Sequence, residues 1–199
     1  MMDIKIVKDA FVHQGGVLKT EDLRQLGLNS RQVKRLLETS VIRKIKHGFY
    51  ELSDGMVAEE ILISKLFPKV IIFLESALFH YDYTDRIPGA WQIAVDRDSE
   101  KKQYNLSFPS IQPFYQDRKY LDIGVSIYKV QDNEIRIFDR DRTICDTLRY
   151  EKKLEKEVYT NAVRRYLNDP KKNLRKLFEY AYLFNIERKV QSQIGKWIE

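Results

Sequence analysis

Two carboxylates one residue apart, Asp96 and Asp98, follow the apolar run Trp91–Val95. Such a pair can hold Mg²⁺ for phosphoryl or nucleotidyl transfer, since hard cations take oxygen ligands. The Gly-Ser segment that nucleotidyltransferases place upstream is missing, and the polar Ser99-Glu100-Lys101-Lys102 continues the stretch, so a surface turn is the simpler reading. Glu100-Lys101-Lys102 also mimics a nuclease Glu-x-Lys, but no strand aspartate precedes it at a suitable place. His13, His47 and His80 are scattered, without the His-x-x-x-His spacing of a metal site. Cys145, the single cysteine, rules out a disulfide framework and a Cys-cluster zinc site. Between Ile144 and Leu148 it reads as a small core residue rather than a nucleophile. With no Gly-rich phosphate loop and no Ser-His-Asp signature, the residues make no case for an enzyme, a metal or a cofactor.

What the side chains can do is grip a polyanion. Residues 1–55 hold ten Lys/Arg against seven Asp/Glu, residues 56–140 eleven against thirteen, and residues 141–199 fourteen against nine. Six of the N-terminal cations (Arg31, Lys34, Arg35, Arg43, Lys44, Lys46) fall within Asn29–Tyr50 against one acid, Glu38. A local basic cluster of this kind is the electrostatic footprint of a nucleic-acid partner, although a charge run by itself is more often just a solvated face. Its position on the elements decides.

Residues 3–14 read as an amphipathic helix with the stripe Ile6, Val7, Ala10 and Phe11, stopped by Gly15-Gly16. Val17-Leu18 suits a short strand. Thr20 is a good N-cap for a second helix that buries Leu23 and Leu26 and ends at Gly27. Leu28-Asn29 makes the turn, and Asn29 with Gln32 forms a variant capping box for the third helix. At about 100° per residue, Val33, Leu36 and Leu37 form its apolar stripe while Arg31, Arg35 and Glu38 fall opposite. Lys34 and Gln32 flank that face, with Ser30 in the first turn. These are the side-chain types that read base edges and hold phosphates. Val41–Leu52 then alternates around a His47-Gly48 turn as a hairpin, its tip carrying Lys46 and His47. A basic hairpin after a basic third helix is the order of a winged helix-turn-helix, with the hairpin as a wing on phosphates or in the minor groove.

The order of motifs resembles the AbiEi-type antitoxin family, transcriptional regulators of bacterial abortive-infection toxin–antitoxin operons. The residues that carry the resemblance are Gly15, Gly16, Leu18, Leu23, Gly27, Leu36 and the run IRKIKHGFY, with Gly48, Phe49 and Tyr50. Phe49 stands where the family usually has valine. Ser76-Ala77-Leu78 matches a family segment after the wing domain. The segment Asp139–Asp146 matches another at Arg142, Thr143 and Asp146, with Arg140 and Asp141 replacing proline and glutamate.

Ser53-Asp54-Gly55 is the natural boundary between a winged domain, 1–55, and a mixed α/β domain, 56–199. The second reads as a helix at Val57–Phe67, a buried strand at Val70–Phe73 and a helix from Glu75 to about His80. Strands are expected at Trp91–Val95, Tyr104–Phe108, Ile111–Tyr115, Val125–Val130 and Ile135–Phe138, with a hairpin at Asp132-Asn133. A helical bundle ends the chain, at roughly 154–168, 171–184 and 187–198. The expected fold class is thus α+β. Asp139 or Asp141 can cap the helix opened by the Arg142, Thr143 and Asp146 segment, in which Arg142 and Asp146 stand at i, i+4. That segment is either a capped helix with a buried ion pair or part of a surface needed for toxin neutralisation. The basic residues of the last helices (Arg164, Arg165, Lys171, Lys172, Arg175, Lys176, Arg188, Lys189) serve first a plain surface, then DNA, then a protein partner.

The expected function is a DNA-binding repressor of its own operon. By resemblance it is also an antitoxin countering a nucleotidyltransferase-like toxin without a stable toxin–antitoxin complex. The groove contacts fall to Arg31, Lys34 and Arg35, supported by Ser30 and Gln32, and the wing to Arg43, Lys44, Lys46 and His47. With neither a signal peptide nor a membrane span to read, a cytoplasmic protein is expected. Two alternatives remain: a winged helix that binds a protein, and a metal-dependent nucleotidyltransferase or nuclease built on Asp96 and Asp98.

Overall fold

Helix α1 (Ile4–His13) forms because Val7 and Phe11, one turn apart, share one buried face. Ile6, expected on that stripe, lies at 58% exposure, because its position falls outside the narrow arc that meets the core. The computed structural model describes residues 4–195, and its contacts divide the chain into two units. The first runs to Lys69 and takes in residues 105–109 and 129–135, while the rest forms the second.

In the N-terminal unit, β1 (Val17–Lys19) leads into α2 (Thr20–Gln25) and α3 (Ser30–Glu38), followed by β2 (Ile42–Lys46), β3 (Phe49–Leu52) and α4 (Glu59–Leu66). The strands form an antiparallel sheet in the order β1-β3-β2. Its core joins Phe11, Leu18, Leu23, Leu28, Leu36 and Ile42. Each such side chain contributes about 1.5–3 kcal/mol on full burial. Leu26, expected inside, is 38% exposed, and Leu28 beyond the turn fills the core in its place. Thr20 is the first helical residue rather than the cap. Lys19 holds the cap position, its N–H donating to Asp22 Oδ2 at 2.7 Å. Gly16, at φ +86°, sits so close to Val57 that a Cβ would lie 2.3 Å from Cγ2. This contact lies within the unit, although Val57 falls beyond the boundary at Gly55 read from composition.

The C-terminal unit is built on β4 (Ile71–Ile72), α5 (Leu74–His80), β5 (Trp91–Asp96), β6 (Ile111–Gln116), α6 (Arg118–Leu121), β7 (Val125–Val130) and β8 (Asn133–Phe138), apart from the turn end 129–135 of the last two, which is counted with the first unit. Helices α7 (Arg140–Arg149), α8 (Lys156–Asn168), α9 (Leu174–Leu183) and α10 (Glu187–Gln193) follow. The five-stranded sheet runs β6-β5-β4-β8-β7 and is mixed, with β5 antiparallel to β4 while β5–β6 and β4–β8 are parallel. Helix α7 is central to the helical part, touching α5, α8, α9 and α10 through Ile144, Cys145 and Leu148. The molecule is therefore α+β with two sheets and, among the described residues, ten α-helical segments.

Beyond residue 69 two expectations are corrected and one element is added. Tyr104–Phe108 is not a strand: Tyr104 closes a 3₁₀ turn over 101–104 and Phe108 is half exposed. β5 pairs directly with β6, so the segment has no partner strand and its alternation lies on no common face. The apolar run at 70–73 yields only two strand residues, because Leu74 turns the chain through φ +45° into α5. Helix α6, too short to show a periodicity, was not expected at all. The end of the helix expected over 187–198 lies outside the described residues beyond 195.

Candidate nucleic-acid interface

The turn between α2 and α3 rests on Gly27 at φ +81°, a conformation that glycine reaches without steric cost. Asn29 then caps α3 reciprocally: its Oδ1 accepts the Gln32 N–H at 3.0 Å, and Gln32 Oε1 accepts the Asn29 N–H at 2.9 Å. With Val33 and Leu36 buried, the opposite face presents Ser30, Arg31, Lys34, Arg35 and Glu38 to solvent. The β2–β3 hairpin is tied to the start of α2, where the Thr20 N–H donates to the Gly48 carbonyl at 2.9 Å.

The nine residues singled out in this region fall into two groups. Gln32 is committed to the cap, Lys34 meets Glu38 at 3.7 Å across one turn, and Lys46 lies 4.4 Å from the centre of the Phe67 ring. Arg43 donates Nε to Glu51 at 2.7 Å, and Glu51 is almost fully buried. Conversely, the side chains of Arg31, Arg35, Lys44 and His47 have no hydrogen-bond or ion-pair partner among the described residues and are exposed. Ser30, in the first turn of α3, is exposed beside them.

Glu51 and Phe67 were not anticipated, and a bulge explains the first. Counting back from the His47-Gly48 turn pairs Lys44 with Glu51, but a register shift between Lys44 and Lys46 places Arg43 there instead. The extra residue in β2 withdraws Arg43 toward Glu51 and leaves Lys44 opposite Tyr50, with its ammonium in solvent. No local pattern in the sequence announces that shift.

The Arg142, Thr143 and Asp146 segment lies inside the C-terminal unit, each at 1% exposure or less. Asp139 caps α7 by accepting the Arg142 N–H at 2.8 Å. Arg142 donates Nε to Asp146 at 2.7 Å, Nη1 to the carbonyls of Tyr120 and Ile123, and Nη2 to Gln116 Oε1. Its guanidinium is stacked between the Phe138 and Phe184 rings, 4.1 and 4.2 Å from their centres. Because Arg142 requires the amide oxygen of Gln116, the Gln116 Nε2 is turned away and is buried without a partner among the described residues. Asp146 gives its other oxygen to Arg149 at 2.5 Å, and Thr143 donates to the Phe138 carbonyl. These side chains fasten α7 to α6, β6 and β8; they do not form a surface.

Asp96 and Asp98 share a turn in which the Asp98 N–H donates to Asp96 Oδ1 at 3.0 Å. Among the described residues no three His, Cys, Asp or Glu side chains are grouped as a metal ion would need, and no helix is long and apolar enough to cross a membrane. Burial pushes the Cys145 thiol well above its ordinary range, so it stays protonated at neutral pH. No protein-family model matches the chain, and no curated protein is similar to it in sequence.

Proposed function

We propose that the N-terminal unit is a winged helix-turn-helix that binds double-stranded DNA, with α3 in the major groove and the β2–β3 hairpin as its wing. The carrying observation is that α3 and the hairpin present three exposed, unpaired cations (Arg31, Arg35 and Lys44) together with His47. Cations without internal partners are the ones able to release counterions from phosphates. Arg31 and Arg35 lie one helical turn apart on the face opposite the buried stripe, as a helix docked in a groove needs. Together with the AbiEi-like motifs, this makes the protein a repressor of its own operon and an antitoxin against a nucleotidyltransferase-like toxin. The antitoxin part rests on the motif order alone.

The test is a gel-shift titration on the intergenic DNA upstream of the gene, with random duplex as competitor. Wild type should prefer the intergenic fragment, and Arg35→Ala should cost about 1–3 kcal/mol on it if the guanidinium pairs a guanine bidentately. Equal weakening on both DNAs reassigns Arg35 to a phosphate. No binding to either DNA refutes the reading and favours a protein partner for this unit. A nucleotidyltransferase-like gene directly downstream, toxic alone and harmless when co-expressed, tests the antitoxin half.

A further inference from the structure

The C-terminal unit carries a polar cleft of about 350 Å³ where α5 and β7 meet the start of α7 and the α8–α9 connection. That volume lies at the lower end of small-ligand sites, which run to about 300–1,000 Å³. A row of stacked groups builds one wall. The Tyr128 and His80 rings are 4.0 Å apart at 40°, His80 meets Tyr81 edge-on at 4.9 Å, and the Arg140 guanidinium lies 4.5 Å above the Tyr81 ring. Lys171 and Ser126 complete the lining with an ammonium and a hydroxyl.

The charges in this wall are not equally available. Asp139 and Asp141 also line the cleft, but both oxygens of Asp139 and Oδ1 of Asp141 are engaged from behind. Asp139 accepts from Lys176 Nζ and the Tyr180 hydroxyl, each at 2.8 Å, besides capping α7. Asp141 accepts from the Tyr166 hydroxyl at 2.8 Å and the Asn173 N–H at 2.7 Å, and it is buried. Arg140 gives Nη1 to Asp169 at 2.9 Å and also meets the Tyr83 hydroxyl, which fixes the guanidinium while its remaining N–H groups can donate to a second anion. Lys171 is exposed, and among the described residues its ammonium makes no hydrogen bond or close ion pair, although its charge acts on Asp169. A network serving only to fasten α7 to its neighbours would need the Arg140–Asp169 pair, but neither Lys171 nor the ring row beside it.

From this placement we propose that the cleft binds a nucleoside monophosphate. Arg140 and Lys171 hold the phosphate, Ser126 donates to it, and the His80–Tyr128 pair offers a face for the base. The chemistry matches the lining, since a phosphate monoester wants fixed guanidinium and ammonium donors and a base wants an aromatic platform. The site is separate from the DNA-facing residues and does not depend on the reading of the N-terminal unit.

Isothermal titration of the full chain with AMP tests this, with inorganic phosphate and adenosine titrated in parallel. Saturable AMP binding is expected, stronger than either half alone. Lys171→Glu should weaken it at least about tenfold, the loss of one charge-assisted hydrogen bond. His80→Ala should reduce AMP to the affinity of inorganic phosphate. Both positions are exposed, so both variants are expected to fold, and circular dichroism checks that they do. Amide shifts on AMP addition should centre on Ser126, Tyr128, Arg140 and Lys171. The proposal is overturned by no saturable binding, by adenosine binding as tightly as AMP, by an affinity unchanged in Lys171→Glu, or by shifts confined to residues 30–47.

Discussion

Replacing Arg142 by methionine isolates what the buried cation does. Methionine keeps an unbranched stem between the Phe138 and Phe184 rings, so the change removes charge and donors without opening a large cavity. Four hydrogen bonds are lost: to Asp146, to the carbonyls of Tyr120 and Ile123, and to Gln116. Deleting one partner of a buried pair costs about 3–5 kcal/mol, because the other charge stays behind in the interior. Two features pull in opposite directions. Asp146 retains Arg149 on its other oxygen, which softens the loss, while the two carbonyls and the amide are left as buried acceptors. The expected outcome is a loss of about 4 kcal/mol, a large part of the roughly 5–15 kcal/mol that holds a domain folded. Urea unfolding followed by tryptophan fluorescence measures it, since Trp91 lies in the same unit. The double variant Arg142→Met with Asp146→Leu should be more stable than Arg142→Met alone, because the stranded carboxylate is gone. A single-variant loss under about 1 kcal/mol, or a double variant less stable than the single, refutes the reasoning.

Gly27→Ala should cost about 1–2 kcal/mol from the positive φ alone, since nothing lies within 4 Å of the new Cβ. Gly16→Ala should cost more because its Cβ also strikes Val57, and thermal unfolding of both variants that reversed this order would contradict the packing described. Glu51→Ala should free Arg43 for phosphate, steepening the salt dependence of DNA binding by about one ion, and an unchanged slope would show that β2 lies off the DNA. Although His80 is exposed as a residue, its ring is partly desolvated between Tyr128 and Tyr81, and this, aided by the positive charge of Arg140 and opposed by Asp82, holds its imidazole below the ordinary value of 6.5. A base with a depressed folded value adds stability above 6.5 that is lost as pH falls through the folded value. Lowering the pH from about 7.5 to about 5.5 should therefore reduce the urea midpoint of wild type more than that of His80→Gln. Equal reductions would remove His80 from the balance.

The N-terminal unit was legible where its causes are local. The α3 cap needs only Asn29 and Gln32 three residues apart, and the face carrying Arg31 and Arg35 follows from the 3.6 period. Legibility ended where a distant residue decides. Whether Arg43 is available depends on a bulge and a buried glutamate across the hairpin, and Lys46 depends on Phe67 some twenty residues on. In the C-terminal unit the i, i+4 spacing of Arg142 and Asp146 was plain, but not that Tyr120, Ile123 and Gln116 converge on the same guanidinium. The mixed order β6-β5-β4-β8-β7 has no local signature, because its parallel pairs join residues far apart in the chain. For the same reason the cleft lined by His80, Ser126, Tyr128, Arg140 and Lys171, drawn from four separate segments, was invisible until the chain was folded.

The position of β4 at the centre of that sheet sets an order in time. Ile72 pairs with Ile137, 65 residues later, so the sheet cannot close until β8 has been synthesised. One buried cluster of the first unit, by contrast, draws all its members from Val7 to Leu52, ahead of the buried Ile61, Leu62 and Ile63 of α4. At about 5–20 residues per second, a ribosome needs on the order of ten seconds to pass from one point to the other. During that interval the nascent chain holds every member of that cluster, while the part holding Arg142 has no sheet to dock against.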